Sequence, residues 1–232
     1  MTGTPYSPSE LGVRPSVQLS NQLLGGAFLW MGAGLLLTAV TSALVLTNPT
    51  LYRFAAEWYL LIAIGTFALA LGIQGTLSRV SASAALGMFF IYAAVMGLTI
   101  GIIVSLYTTE SVAAAFLSAA GMFGAAAVYG YTTKRSLIGI GPMLGMGVIG
   151  LIIAGFVNLF LGSSPLGWII AVIGVILFTV LTAYTVQRIQ AGDYAAMTGS
   201  IEKASILAAL HLYINFINIF LFLLRIFGAS RN

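Results

Sequence analysis

The sequence predicts an all-α integral membrane protein with seven transmembrane helices. Of its 232 residues, 60% are hydrophobic and only 6% are charged, whereas about a quarter of the residues of a soluble domain carry charge. Apolar runs of about 20 residues, the length that crosses roughly 30 Å of hydrocarbon as a helix, recur along nearly the whole chain. Helices are predicted because lipid cannot hydrogen-bond an exposed backbone, and because a barrel would show shorter, alternating segments.

The predicted spans follow one another with short connections. The first span follows residues 1–22, a polar, Pro/Ser-rich segment that lacks the order of a secretory signal and is predicted to be a tail. Because every later loop is short, residues 23–232 are predicted to form one transmembrane domain with no soluble domain. The seven spans cover residues 23–46, 58–77, 83–106, 111–131, 142–162, 166–187 and 204–227.

The fourth and fifth spans are rich in small residues. The fourth contains GMFGAAAVYGY at residues 121–131, and the fifth carries glycines at positions 141, 145, 147, 150 and 155. Small residues allow helix backbones to approach closely in a membrane. We therefore expect tight helix packing along both spans, and a hinge or gate is the alternative.

The sixth span ends in a polar segment, LTAYTVQRIQ at residues 181–190. Tyr184, Thr185 and Gln187 follow in quick succession before Arg188. Because only a short loop joins this end to the seventh span, Thr185 is expected at a depth comparable to that of residues 211–215. The two polar segments are predicted to meet.

The seventh span carries a polar stripe. His211, Asn215, Asn218 and Arg225 fall on one face of the helix, interrupted only by Phe222. Such a stripe points to a bundle interior or a water-filled cavity. Interhelical hydrogen bonds for the two asparagines and an interfacial anchor for the arginine are the structural alternatives to an ion pathway. For the histidine, a satisfied neutral imidazole is the alternative to a metal ligand or a proton relay.

The distribution of basic residues predicts the orientation of the chain. A cytoplasmic N-terminus and an outer C-terminus place six basic residues inside and three outside. The inner set is Arg14, Arg79, Lys134, Arg135, Arg188 and Lys203, and the outer set is Arg53, Arg225 and Arg231.

Several classes of function are excluded by composition. The chain has no cysteine, so thiolate metal sites, disulfides and cysteine nucleophiles are absent. One histidine, no zinc-protease motif, no phosphate-binding loop and no acidic pair within a span predict that the protein is not an enzyme and holds no cofactor or metal. The nine basic residues are scattered, which argues against nucleic-acid binding.

Three segments of the chain resemble one known family. They are GMFGAAAVYGYTTKRSLIGIG, LTAYTVQRI and LHLYINFINIFLFLLRIFG, and the resemblance, which extends over residues 20–230, is to the bacterial inner-membrane branch of the Bax inhibitor-1, or transmembrane Bax inhibitor motif-containing, family. It implies a seven-helix fold in which the last helix runs through the centre, enclosed by the other six. The resemblance also implies a function, because members of this family are similar in acting as pH-sensitive calcium leak channels. The eukaryotic members protect against cell death.

The chain departs from the family pattern at two positions. A Tyr-Asp-Thr-Gln type motif is replaced by Tyr-Thr-Val-Gln at residues 184–187, and Tyr-Leu-Asp-Phe-Ile-Asn is replaced by Tyr-Ile-Asn-Phe-Ile-Asn at residues 213–218. Two facing carboxylates share a proton and offer hard oxygen ligands to a cation. Thr185 and Asn215 cannot titrate in that range, but they can hydrogen-bond each other. We expect a disabled sensor, with His211 as the remaining group able to respond near about pH 6 to 7.

Two functions remain open at this point. The first is a constitutive or weakly gated leak of calcium or another cation, with Thr185, Gln187, Asn215 and Asn218 offering neutral oxygens. The second is a non-conducting membrane interaction protein that modulates a membrane protease or stress survival. Membrane lipid is an expected partner in both cases, and the expected location is a bacterial inner membrane.

Overall fold

The computed structural model describes residues 16–76 and 79–229. Within these ranges the chain forms nine α-helices, one short 3-10 helix (Ile138–Ile140) and no strand. The predicted positions of Arg14 and Arg231, and residues 1–15 of the predicted tail, lie outside the described residues. The helices are α1 (Val17–Thr47), α2 (Pro49–Glu57), α3 (Tyr59–Thr76), α4 (Ala82–Ser105), α5 (Thr109–Thr132), α6 (Gly141–Leu161), α7 (Ser164–Gln190), α8 (Asp193–Thr198) and α9 (Ile201–Phe227).

Seven of these helices are long and apolar enough to cross a membrane, which confirms the predicted fold class. They are α1, α3, α4, α5, α6 with the preceding 3-10 helix, α7 and α9. The first helix begins at Val17, before the predicted boundary, because the Ser16 hydroxyl accepts a hydrogen bond from the Leu19 amide and caps the helix. Residues 17–22, which the sequence assigns to the tail, are therefore helical.

The last transmembrane helix is the core of the bundle. In its most apolar stretch, 72% of the residues of α9 are buried, compared with 44% or less in each of the other six. This helix packs against α1, α4, α5, α7 and α8. Its Tyr213 is fully buried, and the phenol donates to the Thr38 hydroxyl of α1 at 2.6 Å while Thr38 donates to the Ala93 carbonyl of α4 at 2.8 Å. The predicted central position of the last helix is confirmed.

Only some of the glycines in α5 and α6 lie at close helix contacts. A Cβ at Gly130 would overlap the backbone of Ala183, so the absence of a side chain lets α5 lie directly against α7. By contrast, a Cβ at Gly145, Gly150 or Gly155 would meet no atom within 4 Å. The expected tight packing is wrong for these three glycines because α6 lies at the edge of the bundle, where only 11% of its most apolar stretch is buried.

Two short helices complete the connections. Asn48 caps α2 by accepting hydrogen bonds from the Thr50 and Leu51 amides at 3.0 and 3.2 Å. At the other side of the bundle, Gly192 and Gly199 adopt left-handed backbone conformations (φ 79° and 67°) that favour glycine and bracket α8. The chain thereby folds the six-residue helix α8 under the end of α7 before α9 begins.

The two ends of the bundle can be told apart by their hydrogen bonds. At the end that we call the α1 end, the Ser20 hydroxyl donates to the Gln190 carbonyl at 2.8 Å, so the start of α1 meets the end of α7. At the opposite end, the α9 end, the Ala229 amide donates to the Ser111 hydroxyl at 3.0 Å and ties the end of α9 to the start of α5.

Candidate functional site

The predicted meeting of the sixth and seventh transmembrane helices takes place between α7 and α9. The Asn215 side-chain amide donates a hydrogen bond to the Thr185 hydroxyl at 3.3 Å. Each of these side chains is only 5% exposed, so the contact belongs to the interior and not to the lipid face. Neither group carries a charge, and one hydrogen bond joins them inside the bundle, where lipid offers the amide no partner.

His211 lies one turn before Asn215 and bridges two other helices. Its Nδ1 is 2.8 Å from the Tyr194 phenol of α8, and its Nε2 is 3.1 Å from the Gln74 side-chain oxygen of α3. The Gln74 amide nitrogen donates to the Ala70 carbonyl at 3.2 Å, which assigns the oxygen to the side facing the histidine. An oxygen can only accept, so Nε2 carries the hydrogen and the neutral ring accepts from Tyr194 at Nδ1. This geometry fits the satisfied imidazole.

A partly buried ion pair lies at the α1 end of the bundle, near this histidine. Arg188 Nε donates to the Asp193 carboxylate at 2.8 Å, and the aspartate is only 1% exposed. The guanidinium carbon lies 5.7 Å from the centre of the Tyr184 ring and 5.6 Å from that of Tyr194. Burial raises the pKa of the Tyr194 phenol above its ordinary value, so this hydroxyl stays protonated and can donate to His211.

Residues Asp193 and Tyr194 were not among the predicted site residues. A single aspartate in a short loop is typical of a solvated position, and nothing in the local sequence requires it to be buried. A signal is nevertheless present, because Arg188 stands five residues before it and Gly192 can supply the chain reversal that brings the two charges together.

Two predicted polar residues do not join this cluster. The Gln187 oxygen accepts from the Leu137 amide at 2.7 Å and its nitrogen donates to the Arg135 carbonyl at 2.9 Å. Its side chain therefore fixes the connection between α5 and α6 and does not face Asn215. Asn218 donates to the Ile214 carbonyl of its own helix at 2.8 Å, so its amide is engaged within α9.

Arg225 marks the other extreme of the predicted stripe. Asn215 is buried, but Arg225 is exposed at the α9 end. The stripe is thus interior at its centre and reaches the surface in the last turn of the helix. This position corresponds to the interfacial anchor that sequence analysis left open.

The chemistry available to the cluster is hydrogen bonding between neutral groups, beside one compensated charge pair. Glu57, Glu110 and Glu202 are exposed, and the only buried carboxylate in the described ranges is that of Asp193. Over residues 16–76 and 79–229, no group of three or more His, Asp and Glu side chains is placed to hold a metal ion. The site therefore lacks the facing carboxylates that would share a proton or provide several hard oxygen ligands.

Comparison with known proteins gives one family. A family model described as "Inhibitor of apoptosis-promoting Bax1" matches residues 20–232. Inner membrane protein YbhL of Escherichia coli (strain K12) is 42% identical over 208 residues, which cover 87% of this chain and 89% of the relative. Uncharacterized proteins of Deinococcus radiodurans (41% over 204 residues, 88% of each chain) and Borreliella burgdorferi (37% over 225 residues, 94% and 97%) are also similar.

Proposed function

The chain belongs to the family of inhibitors of apoptosis-promoting Bax1, and on that premise we propose that it is a weak cation leak protein whose flux does not depend on pH. The observation that carries this proposal is the hydrogen bond between Asn215 and Thr185. The family pattern has an aspartate at each of these positions, and such a pair titrates. An amide and a hydroxyl keep the same two helices together at every physiological pH.

The weakness of the leak follows from the ligands that an ion would meet. Calcium takes about six to eight oxygen ligands, several of them carboxylates. Near Thr185 and Asn215 the interior offers neutral oxygens, and the one carboxylate that is buried among the described residues, Asp193, is already paired with Arg188. Stripping water from a divalent cation is therefore poorly compensated. A monovalent cation loses less hydration and is the easier permeant ion.

The location and orientation belong to the same proposal. One relative is named an inner membrane protein, and we place this chain in a bacterial inner membrane. The α1 end carries Arg79, Lys134, Arg135 and Lys203, which supports a cytoplasmic position for this end under the positive-inside rule. The α9 end, with Arg53 and Arg225, then faces outward.

The test is ion flux into proteoliposomes at pH 6, 7 and 8, with calcium and with potassium. We expect the parent chain to give a small flux above protein-free liposomes that is the same at each pH. The double variant Thr185→Asp/Asn215→Asp should give a flux that changes with pH. Thr185→Asn is the matched control, since it creates an amide pair of the same size as the aspartate pair but without charge, and it should behave like the parent.

His211 is the residue to test for any pH response that the parent retains, because it is the single histidine of the chain and lies one turn from Asn215. Both of its ring nitrogens already have protein partners, so the neutral ring is expected to give no such response. A residual pH dependence that survives in His211→Ala would remove the histidine from the account.

A second function is favoured because several polar side chains in the interior already have hydrogen-bond partners. The side chains of His211, Asn215 and Tyr213 each have at least one protein hydrogen-bond partner, which leaves few groups to replace the hydration of an ion. A non-conducting regulator of a membrane protease or of stress survival would fit this arrangement. No flux in the parent, with flux gained by the double aspartate variant, would select this second function, and crosslinking in membranes would then identify the partner.

A further inference from the structure

A polar cavity lies at the α9 end, far along α9 from the Thr185–Asn215 pair. It has a volume of about 310 Å³ and lies between the end of α6, the start of α7 and the last turn of α9. The polar side chains that line it are those of Asn158, Ser163, Ser164 and Arg225, and none of the described residues that line it is acidic. The positive charge of the Arg225 guanidinium therefore has no carboxylate beside it among the described residues that line the cavity.

The position of the Arg225 guanidinium is fixed by a glycine. A Cβ at Gly167, in the first turns of α7, would overlap Arg225 Nη2 and would lie 3.0 Å from Asn158 Nδ2. Glycine at position 167 thus makes the space in which the guanidinium lies against the start of α7. Arg225 forms no salt bridge with any residue in the ranges 16–76 and 79–229, so its charge is open to a ligand.

Two further features of the cavity point to a ligand. Asn158 is only 8% exposed, yet its side-chain oxygen has no hydrogen-bond partner among the described residues. A buried acceptor without a donor is costly, and a ligand hydrogen would relieve that cost. The start of α7 also carries the positive end of a 27-residue helix, which favours an anion at this position.

We propose that this cavity binds the headgroup of a membrane phospholipid. The phosphate is held by Arg225 near the positive end of the α7 dipole, and a hydroxyl or ammonium hydrogen of the headgroup donates to Asn158. A lipid is favoured over a free phosphate ion because the surface around the cavity is apolar and belongs to two helices that are long and apolar enough to cross a membrane. Phe156, Leu159, Phe160 and Trp168 are each more than half exposed there, and they would contact the acyl chains.

Phosphatidylglycerol is the probe that meets both requirements, since it carries a phosphate and free hydroxyls. Binding is followed by the rise in unfolding temperature of the purified protein in a neutral detergent as the lipid is added. Removing a charge-assisted hydrogen bond changes affinity about tenfold or more, so Arg225→Gln should weaken phosphatidylglycerol binding by that factor. Phosphatidylcholine, whose headgroup has no hydrogen to donate, should bind the parent more weakly than phosphatidylglycerol.

Arg53→Gln is the matched control, because Arg53 is another exposed arginine at the α9 end and lies outside the cavity. It should leave phosphatidylglycerol binding unchanged, and equal weakening by both substitutions would reduce the effect to general charge and overturn the proposal. Gly167→Ala keeps the charge of Arg225 but displaces its guanidinium, so it should weaken phosphatidylglycerol binding as well. If Arg225→Gln does not fold, unchanged binding by Gly167→Ala overturns the proposal. Inorganic phosphate that stabilises the parent as strongly as the lipid does, and competes with it, would refute the lipid as the source of the phosphate.

Discussion

Replacing Asn215 by aspartate changes one neutral nitrogen into a charged oxygen at nearly constant volume. The substituted side chain would sit at a position that is 5% exposed, facing the Thr185 hydroxyl. A carboxylate at the centre of a transmembrane helix costs about 3 kcal/mol on insertion scales. A hydrogen bond from a hydroxyl to a charged group returns about 1.5 kcal/mol, so the expected net loss is about 1.5 kcal/mol.

The loss should depend on pH in a defined direction. At low pH the introduced carboxyl is protonated and neutral, so its burial costs little. At high pH the folded protein must either bury the charged carboxylate or keep the carboxyl protonated above its ordinary pKa. Both reduce the free energy of unfolding. A loss of about 1.5 kcal/mol corresponds to a rise of about one unit in the pKa of the introduced carboxyl, so Asn215→Asp should approach the stability of the parent near about pH 3 and fall below it by about 1.5 kcal/mol near pH 8.

The assay is reversible unfolding of the purified protein in mixed micelles at the two pH values. Asn215→Leu is the control, because it removes the same hydrogen bond without adding a titratable group and should show no pH dependence. Equal stability of Asn215→Asp and the parent at pH 8, or a loss of the same size at both pH values, would refute the buried position of Asn215.

Three further substitutions test the surroundings of the pair. Tyr194→Phe removes the phenol that bonds His211 at 2.8 Å and should lower the free energy of unfolding by about 1 to 2 kcal/mol, because a partly buried ring nitrogen loses its partner. Arg188→Gln removes the cation from the carboxylate of Asp193 and should lower it by about 2 to 3 kcal/mol, less than for a fully buried pair because the arginine is 25% exposed. Gly130→Ala forces α5 away from α7 and should lower it by about 1 to 3 kcal/mol. All three are measured by the same unfolding assay.

Matched variants separate these effects from general damage. Gly145→Ala adds the same methyl group to α6 where no atom lies within 4 Å, so stability should not fall. Arg188→Gln/Asp193→Asn removes both charges and should recover part of the loss seen in the single variant. A loss of stability from Gly145→Ala as large as that from Gly130→Ala would contradict the close approach of α5 and α7. A double variant Arg188→Gln/Asp193→Asn that is no more stable than Arg188→Gln would contradict the ion pair.

The transmembrane framework was predictable from the sequence because hydrocarbon imposes length and composition on each span. The contact of Thr185 with Asn215 was also predictable, since a short connection and a common depth leave few alternatives. The central position of α9 came from the family resemblance, and the burial of its residues agrees with it.

The remaining features depend on contacts that composition does not encode. The partners of Gln187 lie 50 and 52 residues away in a loop, and no periodicity of α7 indicates them. Three glycines of α6, at positions 145, 150 and 155, face open space and not a neighbour. Hydropathy does not indicate this, because lipid tails are as apolar as a helix surface. The short helices α2 and α8 depend on an asparagine cap and on two left-handed glycines, which are local signals that a search for apolar runs passes over.

The central claim is that a neutral contact between α7 and α9 stands where the family pattern has a titratable one. The most direct test is the ratio of cation flux at pH 6 to that at pH 8, measured for the parent and for Thr185→Asp/Asn215→Asp in liposomes of one composition. The account predicts a ratio close to one for the parent and a ratio well away from one for the double variant. A parent flux that changes severalfold between the two pH values, with the same change in Thr185→Asn and His211→Ala, would contradict it.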